Sequence, residues 1–260
     1  MKIATWNVNS IRVRAEQVLK WLERSDADVL CLQELKTPDE EFPYDLFGEA
    51  GYFAAVAGQR TYNGVAILSK EEPKDISRGL SHLPSDHPLN EQRRIVAATI
   101  GGVRILSAYM PNGESLESEK FPFKMEFFRE FRNYLDKNHE PDEGLCICGD
   151  FNVAREAIDL YNPEERGESI LVSSKERRAL EEVLDFGLTD AFRLHNKEQG
   201  RYSWWDYRGG MYWKGKGMRI DYLFATRPLA KLCAASDIDE SPRRWKRPSD
   251  HTVVWAEFDI

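Results

Sequence analysis

An acid and a carboxamide, Asp150 and Asn152, follow a short apolar run at residues 145–148. The run and its turn-forming flanks predict a buried strand that ends at these two side chains. Side chains two positions apart in a strand face the same way, so both could point into one space. There they could bind a metal ion or activate a water molecule. The alternative is an ordinary turn, because Gly149-Asp150 and Phe151-Asn152 are also turn-forming pairs.

Polar side chains recur where other apolar runs end. They are Asn7, Glu34, Tyr109 and Asn112, with Asp221 inside a later run and Asp250-His251 just before the last one. Strand ends that open on one side of a sheet bring distant residues together. Several carboxylates in one place repel one another unless a cation neutralises them. Oxygen ligands without a thiolate favour a hard ion such as Mg²⁺.

Each of these residues also has a purely structural interpretation. Glu34 could cap a helix or form an ion pair, and His251 could be an ordinary hydrogen-bonded histidine. Tyr109 could be a tyrosine at the edge of the core. Asp221 is harder to explain in this way, because a buried acid needs a partner, and a histidine is the natural one. An Asp–His pair, an acid–carboxamide pair and a metal-binding acid together are typical of a metal-assisted phosphodiesterase.

The elements that would position these residues belong to one layered α/β domain over residues 1–260. Apolar runs predict about nine strands, at 3–8, 28–34, 64–69, 95–100, 103–110, 145–150, 202–205, 219–226 and 252–258. Apolar spacing predicts helices over 15–22 and 121–135, and the capping box Ser173-x-x-Glu176 begins a third. Few strand pairs are separated by a helix, which argues against a fully parallel sheet. Two mixed sheets packed face to face, with helices outside, fit this pattern best.

The composition is that of an ordinary globular protein, with 42% hydrophobic and 31% charged residues in 260. No apolar run approaches the ~18 residues of a membrane span, and residues 2–6 enter a strand at once, so we expect no signal peptide. The four cysteines lack zinc-like spacing. We therefore expect reduced core thiols in a cytoplasmic protein.

The net charge of -8 argues against nucleic-acid binding by bulk charge. Positive charge is nevertheless concentrated near the C-terminus, in Arg243-Arg244-Trp245-Lys246-Arg247 and in Lys214-Gly215-Lys216. Such runs are often only solvated loops. Because these two lie beside aromatic residues, they favour a local phosphate-binding face.

Seven motifs, in this order, resemble those of the exonuclease III family of apurinic/apyrimidinic endonucleases. They are Trp6-Asn7-Val8-Asn9-Ser10-Ile11-Arg12, Leu32-Gln33-Glu34-Leu35-Lys36, Tyr62-Asn63-Gly64-Val65-Ala66, Tyr109-x-Pro111-Asn112-Gly113, Gly149-Asp150-Phe151-Asn152, Arg219-Ile220-Asp221-Tyr222 and Pro248-Ser249-Asp250-His251. The Glu, Gly-Asp-x-Asn and Ser-Asp-His elements are shared with DNase I and with lipid and inositol phosphatases. The motifs at 7–12, 62–66 and 219–222 are similar to those of the DNA-repair branch.

The resemblance implies a four-layer, DNase I-like α/β sandwich that hydrolyses the phosphodiester 5′ to an abasic site in duplex DNA. It also implies 3′-5′ exonuclease and 3′-phosphatase activities, with Mg²⁺ as the cofactor and Mn²⁺ as a substitute. The expected partner is double-stranded DNA with abasic sites or blocked 3′ ends. We expect a monomer that does not bind membranes. Glu34 would be the main metal ligand, with Asn7, Asp150, Asn152, Asp250 and His251 at or near the metal. Asp150, held by Asn152, would deprotonate the attacking water. His251, oriented by Asp221, would contact the phosphate, and Tyr109 would contact the phosphate or the leaving oxygen.

The resemblance further implies a set of DNA-binding residues: Arg12, Asn63, Gly64, Asn112, Arg208, Met211, Trp213, Lys214 and Met218. The loop 209–217 would enter the minor groove, unless Trp213 instead packs flat on a neighbouring strand. Many relatives carry Gly-Trp where this chain has Gly217-Met218, and methionine cannot stack as tryptophan does. The balance of endonuclease and exonuclease activity therefore stays open. Two alternatives remain: a lipid or inositol phosphatase of the same superfamily, and a non-catalytic DNA-binding module.

Overall fold

The computed structural model describes residues 1–260, and two six-stranded β-sheets form its centre. The strands are β1 Lys2–Asn7, β2 Val29–Gln33, β3 Phe53–Ala57, β4 Val65–Ser69, β5 Lys74–Arg78, β6 Ile95–Ile100, β7 Val103–Tyr109, β8 Leu145–Asp150, β9 Leu188–Asp190, β10 Asp221–Thr226, β11 Cys233–Asp239 and β12 Val253–Phe258. The helices are α1 Ile11–Ser25, α2 Tyr44–Glu49, α3 Pro88–Glu91, α4 Lys120–Asn138, α5 Pro163–Arg166, α6 Ser174–Leu184, α7 Ala191–His195 and α8 Arg227–Ala230. None of these helices is long and apolar enough to span a membrane.

Both sheets are mixed, as the sequence predicts. The first has the strand order β11-β12-β1-β2-β4-β3 and the second β5-β6-β7-β8-β10-β9. Each contains one parallel pair, β1 with β2 and β7 with β8, and its other neighbours are antiparallel. The two longest helices make the crossovers, α1 between β1 and β2 and α4 between β7 and β8. This arrangement brings the carboxyl ends of four central strands to one edge of the molecule.

Three apolar clusters separate four layers. One lies between the two sheets and includes Cys31, Ile105 and Leu223. A second fills the space between the second sheet and helices α4 and α6, and a third lies between the first sheet and helices α1 and α2. Each sheet is therefore buried on both faces, which explains why its strands are continuous apolar runs. The expected four-layer sandwich is confirmed.

The helical predictions agree with the structure in their main features. On α1, Val18, Trp21 and Leu22 face the core, and the helix ends at Asp26 in a left-handed conformation (φ 54°). On α6, the predicted capping box is present, with Ser173 and Glu176 each accepting from the other's backbone N–H. This box satisfies two backbone donors that the first helical turn leaves without partners.

The predicted strand at 202–205 is wrong. Trp204 forms only isolated bridges, with Met218 and with His251, because this segment crosses the end of a sheet instead of running along it. Four strands were not predicted: β3, β5, β9 and β11. Of these, β5 is a largely exposed edge strand and β9 has only three residues, so neither carries an apolar run.

The four cysteines are free thiols, and Cys31, Cys146 and Cys148 are buried. Cys146 and Cys148 lie on the face of β8 that points toward the other sheet, with their sulfur atoms 3.5 Å apart. This agrees with the prediction that they are core residues at strand spacing.

Candidate active site

The predicted polar residues meet at the edge of the two sheets where the parallel strands end. Asn7, Tyr109 and Asp150 are the last residues of β1, β7 and β8, and Glu34 directly follows β2. Asp221 is the first residue of β10 and lies opposite Asp150 in the antiparallel ladder. Strand alternation explains why the end residues of β1, β7, β8 and β10 converge. Residues two and four positions from these ends, such as Cys148, Cys146 and Ile105, belong to the core between the sheets, so these terminal side chains point into the same space. Glu34 differs, because its backbone is left-handed (φ 53°) and Leu32, two positions before it, packs on the helix side of the first sheet.

Gly149 brings β8 close to β7 at this edge. A Cβ atom on Gly149 would lie 1.8 Å from the carbonyl oxygen of Ala108, so no residue with a side chain fits there. The register of the two parallel strands then places Tyr109 beside Asp150. This is the structural reason for a glycine before the acid.

Asn7 is the central hydrogen-bond donor of the site. Its fully buried Nδ2 atom donates to Glu34 Oε1 and to Asp150 Oδ2, both at 2.9 Å. The hydroxyl of Tyr109 also donates to Glu34 Oε1, at 2.9 Å. These bonds hold two carboxylates from different sheets in a fixed mutual orientation.

Asp150 is a buried carboxyl group with both oxygens engaged. Oδ1 accepts the backbone N–H of Asn152 at 2.9 Å, and Oδ2 accepts from Asn7. Burial raises the pKa of Asp150 to about 7, although the positive charge of His251 opposes this effect. A general base is most effective when its pKa lies near the working pH.

His251 and Asp221 form the predicted pair. His251 Nδ1 lies 2.9 and 3.1 Å from the two oxygens of Asp221, so Nε2 is directed away from that acid. It lies 3.7 Å from Asp150 Oδ2, which is longer than a hydrogen bond. Burial alone would lower the pKa of His251, but the carboxylates of Asp221 and Asp150 raise it to about 10. The imidazole is therefore a cation at neutral pH, as expected from the sequence.

Asn152 contacts Asp150 through its backbone N–H, which strand alternation does not predict. The strand β8 ends at Asp150, and Asn152 has a left-handed backbone (φ 51°). Its side-chain Nδ2 donates to the carbonyl of Met110 at 3.0 Å, and its Oδ1 accepts from Asn112 at 2.9 Å. The side-chain amide thus links two loops, and the contact with Asp150 comes from the backbone. Its place among the metal ligands stays a prediction.

One group of side chains has the spacing of a metal site. Glu34, Asp150 and His251 each offer a ligand atom, and the three atoms lie within 4.8 Å of one another. In the metal-free protein the imidazole is protonated, so the two carboxylates are the oxygen donors of this group, and the role of His251 as a ligand stays a prediction. Two oxygen donors of this kind suit a hard divalent ion.

Lys36 also belongs to the site, although it is not among the site residues predicted from the sequence. Its Nζ atom lies 2.9 Å from Glu34 Oε2 and donates to Asn9 Oδ1 at 2.6 Å. Burial raises the pKa of Glu34, but Lys36 and the hydrogen bond from Asn7 outweigh it and hold the pKa below its ordinary value. Its only signal in the sequence is its place in the motif Gln33-Glu34-Leu35-Lys36.

Asp250 lies on the other side of His251. Its oxygens accept from Asn9 Nδ2 at 2.9 Å and from Trp204 Nε1 at 3.0 Å. Burial raises the pKa of Asp250, but the charge of His251 and these hydrogen bonds hold it below the ordinary value. Asp250 is outside the three-residue group, so its role at a metal also stays a prediction.

A groove of about 1470 Å³ leads to the site. Its walls include Asn63, Asn112 and Arg208 from the predicted DNA-binding set, together with Tyr109 and Trp204. Arg94, which sequence analysis missed, also lines the groove. It is buried, stacks over the Tyr109 ring at 4.6 Å and donates to the Tyr109 carbonyl at 3.1 Å. No pattern in the sequence marks Arg94, since it simply precedes a strand.

The other predicted DNA-binding residues differ in exposure. Trp213 is 78% exposed, which contradicts the alternative that it packs flat on a strand. Arg12 and Lys214 are exposed, Met211 is half-buried, and Gly64 donates its backbone N–H to the Arg93 carbonyl. Met218 is only 2% exposed and packs with Leu160 and Ile220. This burial contradicts the prediction that Met218 contacts DNA, because its side chain fills the core beneath Trp204.

Comparison with known proteins identifies the family. The family model of the endonuclease/exonuclease/phosphatase family matches residues 4–251. An exodeoxyribonuclease III of Haemophilus influenzae is 35% identical over 270 residues, covering 99% of this chain and 100% of the relative.

Two solved structures have the same fold over their whole length. A 3′ phosphatase from Neisseria, NExo, in complex with a product DNA hairpin, is 41% identical with a TM-score of 0.94, and each chain is covered to 100%. An AP endonuclease from Archaeoglobus fulgidus is 37% identical with a TM-score of 0.95 at the same coverage. The chain therefore belongs to the endonuclease/exonuclease/phosphatase family and, within it, to the exonuclease III group that the seven motifs resemble.

Proposed function

We propose that this protein is a divalent-metal-dependent DNA repair nuclease that hydrolyses the phosphodiester 5′ to an abasic site in duplex DNA. One observation carries the proposal: Asn7 holds the carboxylates of Glu34 and Asp150 together, opposite a cationic His251 that Asp221 orients. A base, a cation site and a phosphate-binding donor are the parts that phosphodiester hydrolysis requires. The whole chain, residues 1–260, acts as one domain.

Glu34 and Asp150 would hold the cation, and we propose Mg²⁺, with Mn²⁺ as a substitute. The choice of a hard ion rests on the two carboxylate donors and on the absence of thiolates from the group. When bound, the ion neutralises charge on the phosphate and polarises it.

Asp150 takes one proton from the attacking water. The water oxygen forms a bond to phosphorus, the bond from phosphorus to the 3′ oxygen breaks, and that oxygen leaves and takes up a proton. His251 Nε2 donates to a non-bridging phosphate oxygen, where negative charge increases in the transition state. The hydroxyl of Tyr109 keeps its proton, because burial raises its pKa well above the ordinary value, so it can donate to the phosphate or the leaving oxygen.

We propose double-stranded DNA with abasic sites as the partner. The exposed loop that carries Arg208, Trp213 and Lys214 supports this, since it borders the groove that leads to the site. Elsewhere, the exposed cations Lys20, Arg24, Arg244, Lys246 and Arg247 form no ion pair within 4.0 Å of a carboxylate. Backbone phosphates are the ligands that such cations attract. We further propose that the protein acts as a monomer in the cytoplasm.

A second activity, removal of blocking groups from 3′ ends, is favoured by the 41% identity to the Neisseria 3′ phosphatase. Trp204 is one of the aromatic residues that line the groove, and its indole donates a hydrogen bond to Asp250.

The proposed function is tested with an oligonucleotide duplex that carries one abasic analogue and, in parallel, with a duplex that carries a 3′ phosphate. We expect incision 5′ to the lesion in Mg²⁺ and no incision in excess chelator. Hydrolysis of inositol phosphates without incision would favour the phosphatase alternative. Binding without any hydrolysis would favour the non-catalytic module.

Exchange of Glu34 for glutamine should weaken binding of the divalent ion, because a hard cation loses a charged oxygen ligand. At low Mg²⁺ we expect the incision rate to fall more than about tenfold below that of the wild type. About tenfold is the smallest loss typical of a disturbed metal site. The deficit should shrink as Mg²⁺ is raised, which a Mg²⁺ titration of the incision rate measures. The matched control is Glu41→Gln, an exposed acid beside Arg60. A deficit that is equal at every Mg²⁺ concentration would make Glu34 a structural residue.

Exchange of Trp213 for alanine should weaken abasic-DNA binding by about 1–3 kcal/mol, the contribution of one aromatic stacking contact. The melting temperature should stay nearly unchanged, because the side chain is 78% exposed. Hydrolysis of a small phosphodiester should also be unchanged. Fluorescence anisotropy with abasic and intact duplexes measures the affinity.

The matched control for Trp213 is Phe53→Ala, an exposed aromatic on the edge strand β3 that should not affect DNA binding. If Trp213→Ala binds abasic and intact duplex in the wild-type ratio and melts several degrees lower, Trp213 stabilises the fold instead of contacting DNA.

A further inference from the structure

A fully buried ion pair lies directly behind the active-site loops. Lys124 of α4 and Glu176 of α6 contact each other, and both side chains are 0% exposed. Lysine and glutamate are almost never buried to this extent unless they are paired. Removing two charges from water is costly, and a buried pair often stabilises a protein no better than apolar residues of the same volume. Stability alone therefore does not account for a lysine at this position.

The ammonium group of Lys124 is directed at the backbone of the two loops that follow β7 and β8. Nζ donates to the carbonyl of Asn152 at 2.7 Å and to that of Asn112 at 3.0 Å. With Glu176 as the third acceptor, all three ammonium protons are used. The side-chain amides of Asn112 and Asn152 also bond to each other, at 2.9 Å. Lys124 thus donates hydrogen bonds to the backbone of both loops, while the side chains of Asn112 and Asn152 bond the two loops to each other.

This chain of hydrogen bonds leads on to Asp150, the proposed general base. The backbone N–H of Asn152 donates to Asp150 Oδ1, so the position of the Asn152 backbone sets the orientation of that carboxylate. Asn152 has a left-handed backbone (φ 51°), which asparagine tolerates better than most residues but which its hydrogen-bond partners must still hold in one position. Lys124, which donates to the Asn152 carbonyl, is one such partner. A misplacement of about 1 Å at a reacting group can cost about 10²-fold in rate.

Glu176 connects the ammonium group of Lys124 to a third segment of the chain, which forms part of the groove wall. Its Oε1 accepts the backbone N–H of Leu171 at 3.0 Å, and its Oε2 accepts from Ser173 N–H and Oγ at 3.1 and 2.7 Å. Leu171 lines the groove. The stem of Lys124 passes beside Gly113, where an added Cβ would lie 3.0 Å from Lys124 Cδ. The pair therefore holds together three segments, at 112–113, 150–152 and 171–173, that surround the site.

We infer that Lys124, fixed by Glu176, is a positioning residue for hydrolysis: it sets the backbone of Asn152 and, through it, the carboxylate of Asp150. The inference rests on the proposed function in that Asp150 is the base. Lys124 itself is fully buried, so it acts through the Asn152 backbone and not on the substrate directly.

The test compares a charge-neutral replacement of the pair with the wild type. In K124M alone, Glu176 would stay buried without its cation, and loss of folding would obscure the result. The double variant K124M/E176Q leaves no unpaired buried charge, so we expect its melting temperature to stay close to the wild-type value. We expect kcat on an abasic duplex to fall by about 10- to 100-fold, with KM within about twofold. The loss in kcat without a change in KM is the signature of misplaced reacting groups.

A matched control separates positioning from folding. R155M/E181Q removes a half-exposed ion pair that also joins α6 to the chain beyond Asn152, and it should leave kcat unchanged. A tenfold loss in this control would show that general loosening of α6, not the carbonyl contacts, lowers the rate.

Backbone amide NMR gives a readout that needs no substrate. In K124M/E176Q the resonances of Asp150 and Asn152 should shift, whereas those of residues in the β3 edge strand should not. Wild-type kcat with unshifted resonances would overturn the inference. Failure of the wild-type enzyme to cut abasic DNA would instead overturn the proposed function, and the shifts would still report whether Lys124 sets the loop.

Discussion

Exchange of Asp150 for asparagine is expected to lower kcat by about 10²- to 10⁴-fold while DNA affinity is retained. Asparagine has the same size but only one acceptor oxygen, so it can keep one of the two hydrogen bonds, from Asn7 or from the Asn152 backbone. It cannot take a proton from water, and it carries no charge to bind a divalent ion. General-base catalysis and electrostatic stabilisation each contribute in this range. Single-turnover incision at saturating enzyme measures the chemical step directly.

The control for Asp150 is Asp142→Asn, an exposed acid in the turn that precedes the same strand. Its kcat should equal that of the wild type. An Asp150→Asn enzyme that keeps more than a tenth of wild-type kcat would exclude Asp150 as the base. Retained affinity for abasic DNA, measured with the same duplex, shows that only the chemistry has been removed.

The sequence carried enough information to predict the layers and most of the site. Strands buried on both faces are continuous apolar runs, and the acids, amides and tyrosine that matter lie where those runs end. Asn7, Tyr109 and Asp150 were found in this way, because each occupies the last inward-facing position of its strand, and Asp221 occupies the first such position of the antiparallel strand β10. The crossover helices α1 and α4 have clear apolar faces for the same physical reason.

What the sequence could not show depends on contacts between segments far apart in the chain. Lys36, Arg94 and Lys124 have no periodic signal, since their roles come from partners that only the fold supplies. The relation of Asn152 to Asp150 was predicted from strand alternation and is instead a backbone hydrogen bond in a left-handed turn. The edge strand β5 is polar, and local sequence does not distinguish such a strand from a loop.

Exchange of His251 for glutamine is expected to lower kcat by about 10²- to 10³-fold, the effect of removing one charged donor to a developing negative charge. Glutamine can replace a hydrogen bond but not the positive charge. Asp221→Asn should lower kcat too, because it removes the carboxylate that orients the imidazole and stabilises its protonated form. The two exchanges act on one unit, so the double variant should be little slower than the His251 variant alone. Exposed His195→Gln is the control and should leave kcat unchanged.

The protonation of His251 makes this prediction sensitive to pH. Its pKa is raised to about 10 in the folded protein, above the ordinary value of about 6.5 for an unfolded chain. Its contribution to stability is therefore fully present below about pH 6.5 and is lost as the pH rises toward 10. In an NMR titration of the metal-free enzyme, the His251 ring should stay protonated at pH 8. In Asp221→Asn the same transition should move to lower pH, and the alkaline loss of activity should move with it. A neutral imidazole at pH 8 in the wild type, or an alkaline limb that Asp221→Asn leaves in place, would exclude the imidazolium as the group that stabilises the phosphate.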